Sequence, residues 1–362
     1  MKKARYIFLY PLSLLYAIGT GIRNLLFDWN VLKSKSFEGV KIINVGNLCA
    51  GGSGKTPHIE YLIKILRDDL RIATLSRGYK RKTSGYVLAT GQSTAEDIGD
   101  EPLQFVTKNP DVMVAVDGNR RRGIQNLLKI NKGPEVILLD DAFQHRSVKP
   151  GLNILLTDYS KLFIHDTYLP AGMLRESIKG SLRADIIVIT KTPENASSVD
   201  MRGIMKDIGI KAYQTIYFSY LKYDKLYCLY HPADTIEAAM ELYKYNVLLF
   251  TGIANDAPLL TYVKEYADDL VHKKYPDHYE YFEQDAVEIK KIFDNIAAEN
   301  KIIITTEKDA MRLNKPEIRA VLHNLPLYVL PVEVDFKNKT EEFNENVLKY
   351  VRTNKIYHKK YM

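Results

Sequence analysis

Cysteine is scarce in this chain of 362 residues, which contains only Cys49 and Cys228. One of the two lies inside a glycine-rich motif, so we do not expect the disulfide framework that stabilises small secreted domains. A reducing compartment fits this cysteine usage better. The sequence also has no repeat period and no low-complexity tract, so nothing in it favours a repeat architecture.

A long apolar run is missing as well. The uncharged run near the N-terminus covers residues 6–22 and contains Pro11. It is therefore short for a membrane-spanning helix, which needs ~20 apolar residues. Basic residues precede and follow the run. Three interpretations are open: a cleavable signal peptide with a small-x-small site at 17–19, an anchor inserted in or lying on a membrane surface, and a plain buried helix.

Acidic residues are outnumbered, since Lys and Arg number 51 against 44 Asp and Glu, a net charge of +7. This excess suits an anionic partner, whether a nucleotide, an anionic lipid or a nucleic acid. No nucleic-acid recognition module accompanies the charge, so we expect no nucleic-acid partner. The chain length and the hydrophobic content of 46% indicate a globular protein with a sizeable core and favour two domains.

From residue 40 onward, short β-branched runs alternate with amphipathic stretches, which predicts an α/β fold with a mostly parallel sheet. The predicted strands lie at residues 40–45, 72–75, 112–116, 136–139, 153–156 and 186–189, and a helix is predicted at 57–66. The predicted domains are an N-terminal helix at 1–30, a P-loop core at 31–210, a ribbon-like connector at 211–245 and a smaller C-terminal α/β domain at 246–350.

The strongest motif is a glycine-rich loop between a predicted strand and a predicted helix, the context that a P-loop requires. The predicted phosphate-binding residues are Gly51, Gly52, Ser53, Gly54, Lys55 and Thr56. In such a loop the backbone N–H groups surround the phosphates, Lys55 reaches the β- and γ-phosphates, and the Thr56 hydroxyl binds Mg²⁺. The loop departs from the usual pattern at Cys49, where the first glycine is expected.

A second motif is the apolar run that ends in Asp140 and Asp141, which has the form of a Walker B strand. We expect one or both carboxylates to hold Mg²⁺, although an aspartate at a strand end can also cap a turn. Gln144 and His145 follow closely and could orient the γ-phosphate or a water. The loop at 190–193 lacks the aspartate of guanine-reading loops, which favours ATP over GTP.

An ATP site needs the cytosol, so of the three interpretations of the N-terminal run we favour an uncleaved membrane anchor. A rival class also remains open. A membrane-associated P-loop ATPase or GTPase of the switch or metallochaperone kind would carry the same motifs. The two classes differ in whether phosphate is transferred to an acceptor or released.

Several further stretches extend the pattern beyond a generic P-loop protein: 45–47 with 51–57, 75–79, 99–102, 139–146, 169–172 with 174–176, 183–185, 250–255 and 305–309. On these motifs the chain resembles the tetraacyldisaccharide 4'-kinase (lipid A 4'-kinase) family, which also has a P-loop without the first glycine. The resemblance implies that the γ-phosphate of ATP is transferred to the 4'-hydroxyl of a tetraacyldisaccharide 1-phosphate, giving lipid IVA in lipid A biosynthesis.

The resemblance also implies a setting. The enzyme would work at the cytoplasmic face of the inner membrane, anchored by its N-terminal helix. Its partners would be the lipid disaccharide and anionic inner-membrane lipid, without an obligate protein partner.

The family motifs also imply roles for individual residues. Asp100 matches the carboxylate that accepts the proton of the sugar hydroxyl, and His278 matches its partner histidine from the second domain. The alternatives are a helix cap for Asp100 and a packed or exposed loop histidine for His278. Tyr79 is expected at the nucleotide, and Glu176 near the γ-phosphate.

Four arginines are expected at the substrate phosphate or at lipid headgroups: Arg77, Arg120, Arg121 and Arg122. Arginine is suited to this because its planar guanidinium can bind phosphate oxygens in pairs. For the three consecutive arginines, a solvated helix face is the alternative.

Overall fold

The computed structural model describes residues 2–237 and 241–353, with side chains from residue 8 onward. The strands are β1 (Lys41–Asn47), β2 (Ile72–Ser76), β3 (Val87–Leu88), β4 (Met113–Val116), β5 (Val136–Asp140), β6 (Leu152–Asp158), β7 (Ile186–Thr190), β8 (Thr215–Tyr223), β9 (Leu226–Cys228), β10 (Thr235–Ile236), β11 (Asn246–Thr251), β12 (Asp269–Lys274), β13 (Lys301–Thr306), β14 (Leu327–Leu330) and β15 (Val332–Phe336).

Helices in the same part of the chain are α1 (Lys2–Asp28), α2 (Lys55–Leu66), α3 (Ala95–Ile98), α4 (Asp100–Lys108), α5 (Arg120–Leu127), α6 (Ser198–Ile208), α7 (Ala257–Tyr266), α8 (Glu283–Asp294), α9 (Glu307–Ala310), α10 (Pro316–Leu322) and α11 (Thr340–Arg352). The chain forms two compact units, which in the described part comprise residues 2–221 with 334–353, and residues 222–333.

The first unit is built on a nine-stranded sheet with the strand order β15-β8-β7-β6-β1-β5-β2-β4-β3. The neighbours from β8 to β4 pair in parallel, and β3 pairs antiparallel with β4. Every residue of β2, β5 and β7 is buried. Because helices cover both faces of a parallel sheet, its strands are continuous apolar runs, and this confirms the predicted mostly parallel α/β core.

The second unit has a six-stranded sheet with the order β10-β9-β14-β13-β11-β12. The strands β11 to β14 pair in parallel, whereas β9 pairs antiparallel with both β10 and β14. One side of the core of this unit contains aromatic residues, since Phe250, Tyr275 and Tyr281 are buried together with aliphatic side chains of α8 and α10. This unit is a second α/β body, smaller than the first.

The boundaries differ from the predicted ones in two places. The predicted connector at 211–245 is divided between the two units, because β8 joins β7 in the first sheet while β9 pairs within the second. The predicted C-terminal domain at 246–350 ends earlier. Helix α11 packs Phe343 and Val347 into the apolar core that holds β1 and β5.

Helix α1 belongs to the first unit and exposes much of its apolar surface. Phe8 is 81% exposed, and Leu15 is 66% exposed. This exposure is inconsistent with a plain buried helix, since a helix in the interior is apolar and covered all round. Among the described residues, no helix combines the length and the apolar character needed to cross a bilayer.

Candidate active site

The motif residues of the first unit meet at the carboxyl ends of its parallel strands. The glycine-rich loop connects β1 to α2, and Asp140 is the last residue of β5, which pairs with β1. In open α/β sheets, ligands bind in the crevice beyond these strand ends. The fold therefore assembles the loop and the carboxylates that the sequence separates by more than 80 positions.

Two glycines shape the loop for different reasons. Gly54 precedes α2 with φ +80°, a left-handed conformation that glycine adopts without steric cost. Gly46 has an ordinary φ, but a Cβ there would lie 2.7 Å from the Cβ of Phe143. Only glycine lets the turn after β5 approach the end of β1, where the loop begins, this closely.

Cys49 is accommodated because the first half of the loop is extended. Cys49 forms an antiparallel bridge with Leu174, and Arg175 donates its backbone N–H to the Leu48 carbonyl over 2.8 Å. Cys49 does not have a positive φ, so the usual first glycine is not required here. Burial, followed by the charge of Asp166, raises the pKa of the Cys49 thiol to about 12 and keeps it protonated.

Asp141 lies between two cations. Its carboxylate accepts from the Arg175 guanidinium over 2.7 Å and lies 3.8 Å from the Lys55 ammonium. Burial opposes ionisation, but the charges of Lys55 and Arg175 hold the pKa of Asp141 below its usual range. Asp141 also has φ +50°, which is uncommon outside glycine and often marks a functional constraint.

Asp140 is the buried member of the pair. It is 2% exposed, and its Oδ1 has no hydrogen-bond partner among the described residues. Burial, followed by the charges of Glu101 and Asp141, raises the pKa of Asp140 to about 8. A buried carboxylate oxygen without a partner is costly, and a bound cation is the partner that would satisfy it.

A hydrogen-bonded network surrounds this pair. The side chain of Gln144 donates to the Asn47 carbonyl over 2.9 Å and to Glu176 over 3.0 Å. Glu176, which is buried, also accepts from Arg183 over 2.7 Å. The network fixes the end of β1 and the turn after β5 relative to each other.

His145 lies beside the same turn. Burial, followed by the positive charges of Arg120 and Arg23, lowers the pKa of His145 to about 4. Its imidazole is therefore neutral at physiological pH, and it can accept or donate a hydrogen bond there but adds no positive charge.

The loop at 190–193 also contacts the glycine-rich loop. Lys191 donates to the Gly52 carbonyl over 2.5 Å and pairs with Asp158 over 2.8 Å. Below it, His58 is buried with one ring nitrogen 2.7 Å from the Gly54 carbonyl and the other 3.0 Å from the Ser219 hydroxyl. These contacts fix the backbone of the glycine-rich loop at Gly52 and at Gly54.

Asp100 is the first residue of α4 and is half-buried. The adjoining Glu101 acts electrostatically on Asp140, which places the start of α4 at the same end of the sheet. Arg77 and Tyr79 follow β2 and are exposed. The structure thus brings these residues to the strand ends, and their roles stay predictions.

The three consecutive arginines point in different directions. Arg120 is buried and donates to the carbonyls of Asp117 and Asp140. Arg121 donates to the Ser147 carbonyl over 2.8 Å, and Arg122 forms a two-bond ion pair with Asp117. All three guanidinium groups have partners within the protein, and their predicted contacts with substrate phosphate or lipid stay untested.

His278 belongs to the second unit. It has φ +57° and donates its backbone N–H to the Gly252 carbonyl over 3.1 Å. One ring nitrogen lies 3.0 Å from the Lys308 ammonium and the other lies 3.2 Å from the Arg312 guanidinium.

Sequence reasoning left Arg175 without a role and did not single out Asn24 or Arg23. Arg175 lies in a recognisable motif stretch, and its pairing with Asp141 explains why an arginine stands there. Asn24 and Arg23 contact Glu176 and Gln144. No local signal could have identified them, because their partners lie more than 120 positions along the chain.

A glycine-rich loop between a parallel strand and a helix, faced by a Walker B carboxylate pair, defines a P-loop nucleotide-binding protein. The sequence profile described as tetraacyldisaccharide-1-P 4'-kinase matches residues 5–352. The chain belongs to this family.

Individual relatives agree with the family assignment. The chain is 48% identical over 356 residues to the tetraacyldisaccharide 4'-kinase of Bacteroides thetaiotaomicron, which covers 96% of this chain and 93% of that protein. It is 46% identical to the tetraacyldisaccharide 4'-kinase of Parabacteroides distasonis, which covers 95% of this chain and 94% of that protein. Among solved structures it resembles the "apo" form of LpxK from Aquifex aeolicus in complex with ATP, with a TM-score of 0.71, 28% identity, and coverage of 94% of this chain and 98% of that one.

Proposed function

We propose that this chain is a lipid kinase that transfers the γ-phosphate of ATP to the 4'-hydroxyl of a tetraacyldisaccharide 1-phosphate. The hydroxyl oxygen forms a bond to the γ-phosphorus as the bond to the β,γ-bridging oxygen breaks, and ADP leaves. The observation that carries the proposal is the meeting of Lys55 with Asp140 and Asp141 at the strand ends. Phosphoryl transfer depends mainly on such positioning and charge stabilisation.

The phosphate loop supplies the nucleotide site. The backbone N–H groups of residues 51–54 and the start of α2 would bind the phosphates, with Lys55 neutralising charge on the β- and γ-phosphates. Arg175 already contacts Asp141, so it is close enough to contribute a second cation at the γ-phosphate. The Lys55 ammonium lies 3.8 Å from the Asp141 carboxylate, which directs the lysine toward the site.

Magnesium fits the residues that the fold places here. Asp140 has a buried carboxylate oxygen without a described partner, and hard oxygen ligands are those that Mg²⁺ prefers. Asp140, Asp141 and the Thr56 hydroxyl would hold the ion. When bound, Mg²⁺ would neutralise the charge that develops on the β- and γ-phosphate oxygens.

We assign Asp100 to the acceptor. Its carboxylate would take the proton of the 4'-hydroxyl as the oxygen attacks phosphorus. Support comes from its place at the start of α4, next to Glu101, whose charge reaches Asp140. His278 is a second residue of the proton transfer by resemblance to the family.

We further propose that α1 lies on anionic membrane at the cytoplasmic face. Its described part exposes large apolar side chains, among them Phe8, Leu15 and Ile18. Basic residues at positions 2, 3 and 5 precede this surface in the sequence, although their side chains lie outside the described part. An apolar face with basic residues at one end suits adsorption to anionic lipid.

Steady-state kinetics of Asp100→Ala test the assignment of the base. We expect phosphoryl transfer to fall by about 100- to 10,000-fold, the usual contribution of a general base, while the affinity for Mg–ATP changes little. Asp97→Asn is the matched control. Asp97 is also an acidic residue near a helix start, and it caps α3 through Thr94, so its loss should lower stability but not kcat.

The pair of residues is tested by adding His278→Ala alone and in combination with Asp100→Ala. If both serve one proton transfer, the double variant should lose less activity than the product of the two single losses. Additive effects would refute a shared step. A large loss of nucleotide affinity in Asp100→Ala would make Asp100 a metal ligand instead of a base.

A further inference from the structure

The inner face of α1 is hydrogen-bonded to the residues around the catalytic carboxylates. Asn24 donates its side-chain N–H to Glu176 over 2.9 Å. Arg23 donates to the Gln144 carbonyl over 2.7 Å, and Tyr16 donates its hydroxyl to the Arg175 carbonyl over 3.0 Å. Arg23 and Asn24 lie seven and eight residues after Tyr16, so the three residues form one stripe on the helix.

Further contacts hold the same stripe in place. Arg146 donates to the Asn24 carbonyl over 2.9 Å and pairs with Asp28 over 2.6 Å. The Ser13 hydroxyl accepts the backbone N–H of Ala171 over 2.9 Å. The helix is therefore attached to polar groups of the core between Ser13 and Asp28, while its other face exposes apolar side chains.

The partners of α1 lead directly to the site. Glu176 accepts from Gln144, which donates to the carbonyl of Asn47 at the end of β1. Arg175, whose carbonyl accepts from Tyr16, holds Asp141 through its guanidinium over 2.7 Å. Through Glu176 and Arg175, α1 is thus linked to Gln144 and Asp141, which lie beside the glycine-rich loop.

Asn24 makes the contact of this stripe that reaches a buried carboxylate. Glu176 is 2% exposed and accepts from three side chains: Asn24, Gln144 and Arg183. The bond from Asn24 is made to Oε2, whereas the other two are made to Oε1. Losing it would leave a buried carboxylate oxygen short of a donor, so the carboxylate would turn to regain one and would pull on Gln144.

We infer that α1 is part of the catalytic framework as well as a membrane contact, and that Asn24 is a positioning residue for Gln144 and Glu176. This inference rests on the proposed kinase function. The same helix then contacts the membrane on one face and, through a few hydrogen bonds on the other, positions residues of the phosphate site.

The test compares Asn24→Ala with Thr20→Ala in steady-state kinetics. The substrates are saturating Mg–ATP and tetraacyldisaccharide 1-phosphate in detergent micelles. Thr20 is the matched control, because it lies one turn away on the same helix and, within the part of the chain that the structure describes, its hydroxyl bonds only to the carbonyls of Tyr16 and Ala17 in α1. A second variant, Tyr16→Phe, removes one hydroxyl and leaves the aromatic ring in place.

We expect Asn24→Ala to lower kcat by about tenfold or more, because small displacements of catalytic groups have large effects on rate. Tyr16→Phe should lower it severalfold, Thr20→Ala should match the wild type, and KM for the lipid should change little in all three. Binding to vesicles of anionic phospholipid should be unchanged in Asn24→Ala. An anchor without a positioning role would give the opposite result for Asn24→Ala, with a raised lipid KM or weaker vesicle binding at an unchanged kcat, and would overturn the inference.

Thermal unfolding shows whether each variant is folded. If Asn24→Ala fails to fold, Tyr16→Phe decides: a kcat equal to that of Thr20→Ala refutes the inference, and a reduced kcat supports it. Wild-type transfer to the lipid is measured in the same experiment. If the wild type transfers no phosphate to the lipid, the proposed function itself is refuted. If the wild type is active and the variants have the same kcat, only the role of α1 is refuted.

Discussion

Replacing Gly46 by alanine tests whether the close approach of two chain segments sets the geometry of the site. An added Cβ would lie 2.7 Å from the Cβ of Phe143 and 3.0 Å from its backbone nitrogen. Ordinary contacts between carbon atoms are about 3.5–4.0 Å, so the turn after β5 must move by about 1 Å. Neither segment can yield by a side-chain rotation, because the contact is made by atoms at or next to the backbone.

The consequence for activity follows from what the turn carries. Asp141 and Gln144 lie on either side of Phe143, so a shift of the turn displaces both. Displacement of catalytic groups by about 1 Å can cost on the order of 100-fold in rate. Overpacking by one methyl group typically costs about 1–3 kcal/mol of folding free energy. Gly46→Ala should therefore fold, with a lower melting temperature and a kcat reduced by about 100-fold.

Phosphate transfer to the lipid, the dissociation constant of Mg–ATP and thermal unfolding measure these effects. Gly203→Ala is the control, since a Cβ at that helical position has nothing within 4 Å. Its alanine should leave kcat unchanged and should not lower stability. A folded Gly46→Ala variant with wild-type kcat would show that the turn tolerates the displacement, and it would refute the argument that this contact fixes Asp141.

Three further predictions follow from the site. Lys55→Ala should lower kcat by about 100- to 1,000-fold, the effect of removing one charge-stabilising group, and near-wild-type transfer would refute its assigned role. Removing divalent cations with EDTA should abolish transfer, and Mg²⁺ should restore it, whereas persistent activity would rule out the metal site. Asp117→Asn should lower the melting temperature at neutral pH. Burial favours the protonated form of Asp117, but the hydrogen bond from Arg122 outweighs burial and lowers the pKa of Asp117. The ionised carboxylate therefore stabilises the fold above the ordinary aspartate pKa, and this stabilisation is lost as pH falls through the lowered pKa. The prediction is contradicted if the melting temperatures of Asp117→Asn and the wild type differ by the same amount at neutral and at acidic pH.

Much of the first unit could be predicted from the sequence, because its signals are local. Each predicted strand from 40–45 to 186–189 corresponds to an observed one, since continuous apolar runs are typical of strands covered on both faces. The glycine-rich loop and the Walker B run are also local motifs, so they identified the ends of β1 and β5. The resemblance to the kinase family, drawn from these motifs, is confirmed by the family match.

Features that depend on distant parts of the chain could not be predicted. The return of α11 to the first core brings Phe343 next to residues of β8 and β15, and no local pattern reports that pairing. The division of 211–245 between two sheets has the same origin, since hydrophobic alternation shows that a strand forms but not which strand it pairs with. The contacts of α1 with Gln144 and Glu176 likewise exist only once the chain is folded.

The central claim is that this protein transfers phosphate to a lipid instead of using ATP hydrolysis as a switch. The most direct measurement incubates the purified protein with Mg²⁺, ATP labelled at the γ-phosphate, and tetraacyldisaccharide 1-phosphate, and separates lipid from free phosphate by chromatography. We predict that the label appears in the lipid at the 4'-position in equal amount to the ADP formed, and that Lys55→Ala does not form it. Label found only in free inorganic phosphate, with the lipid unchanged, would contradict the account.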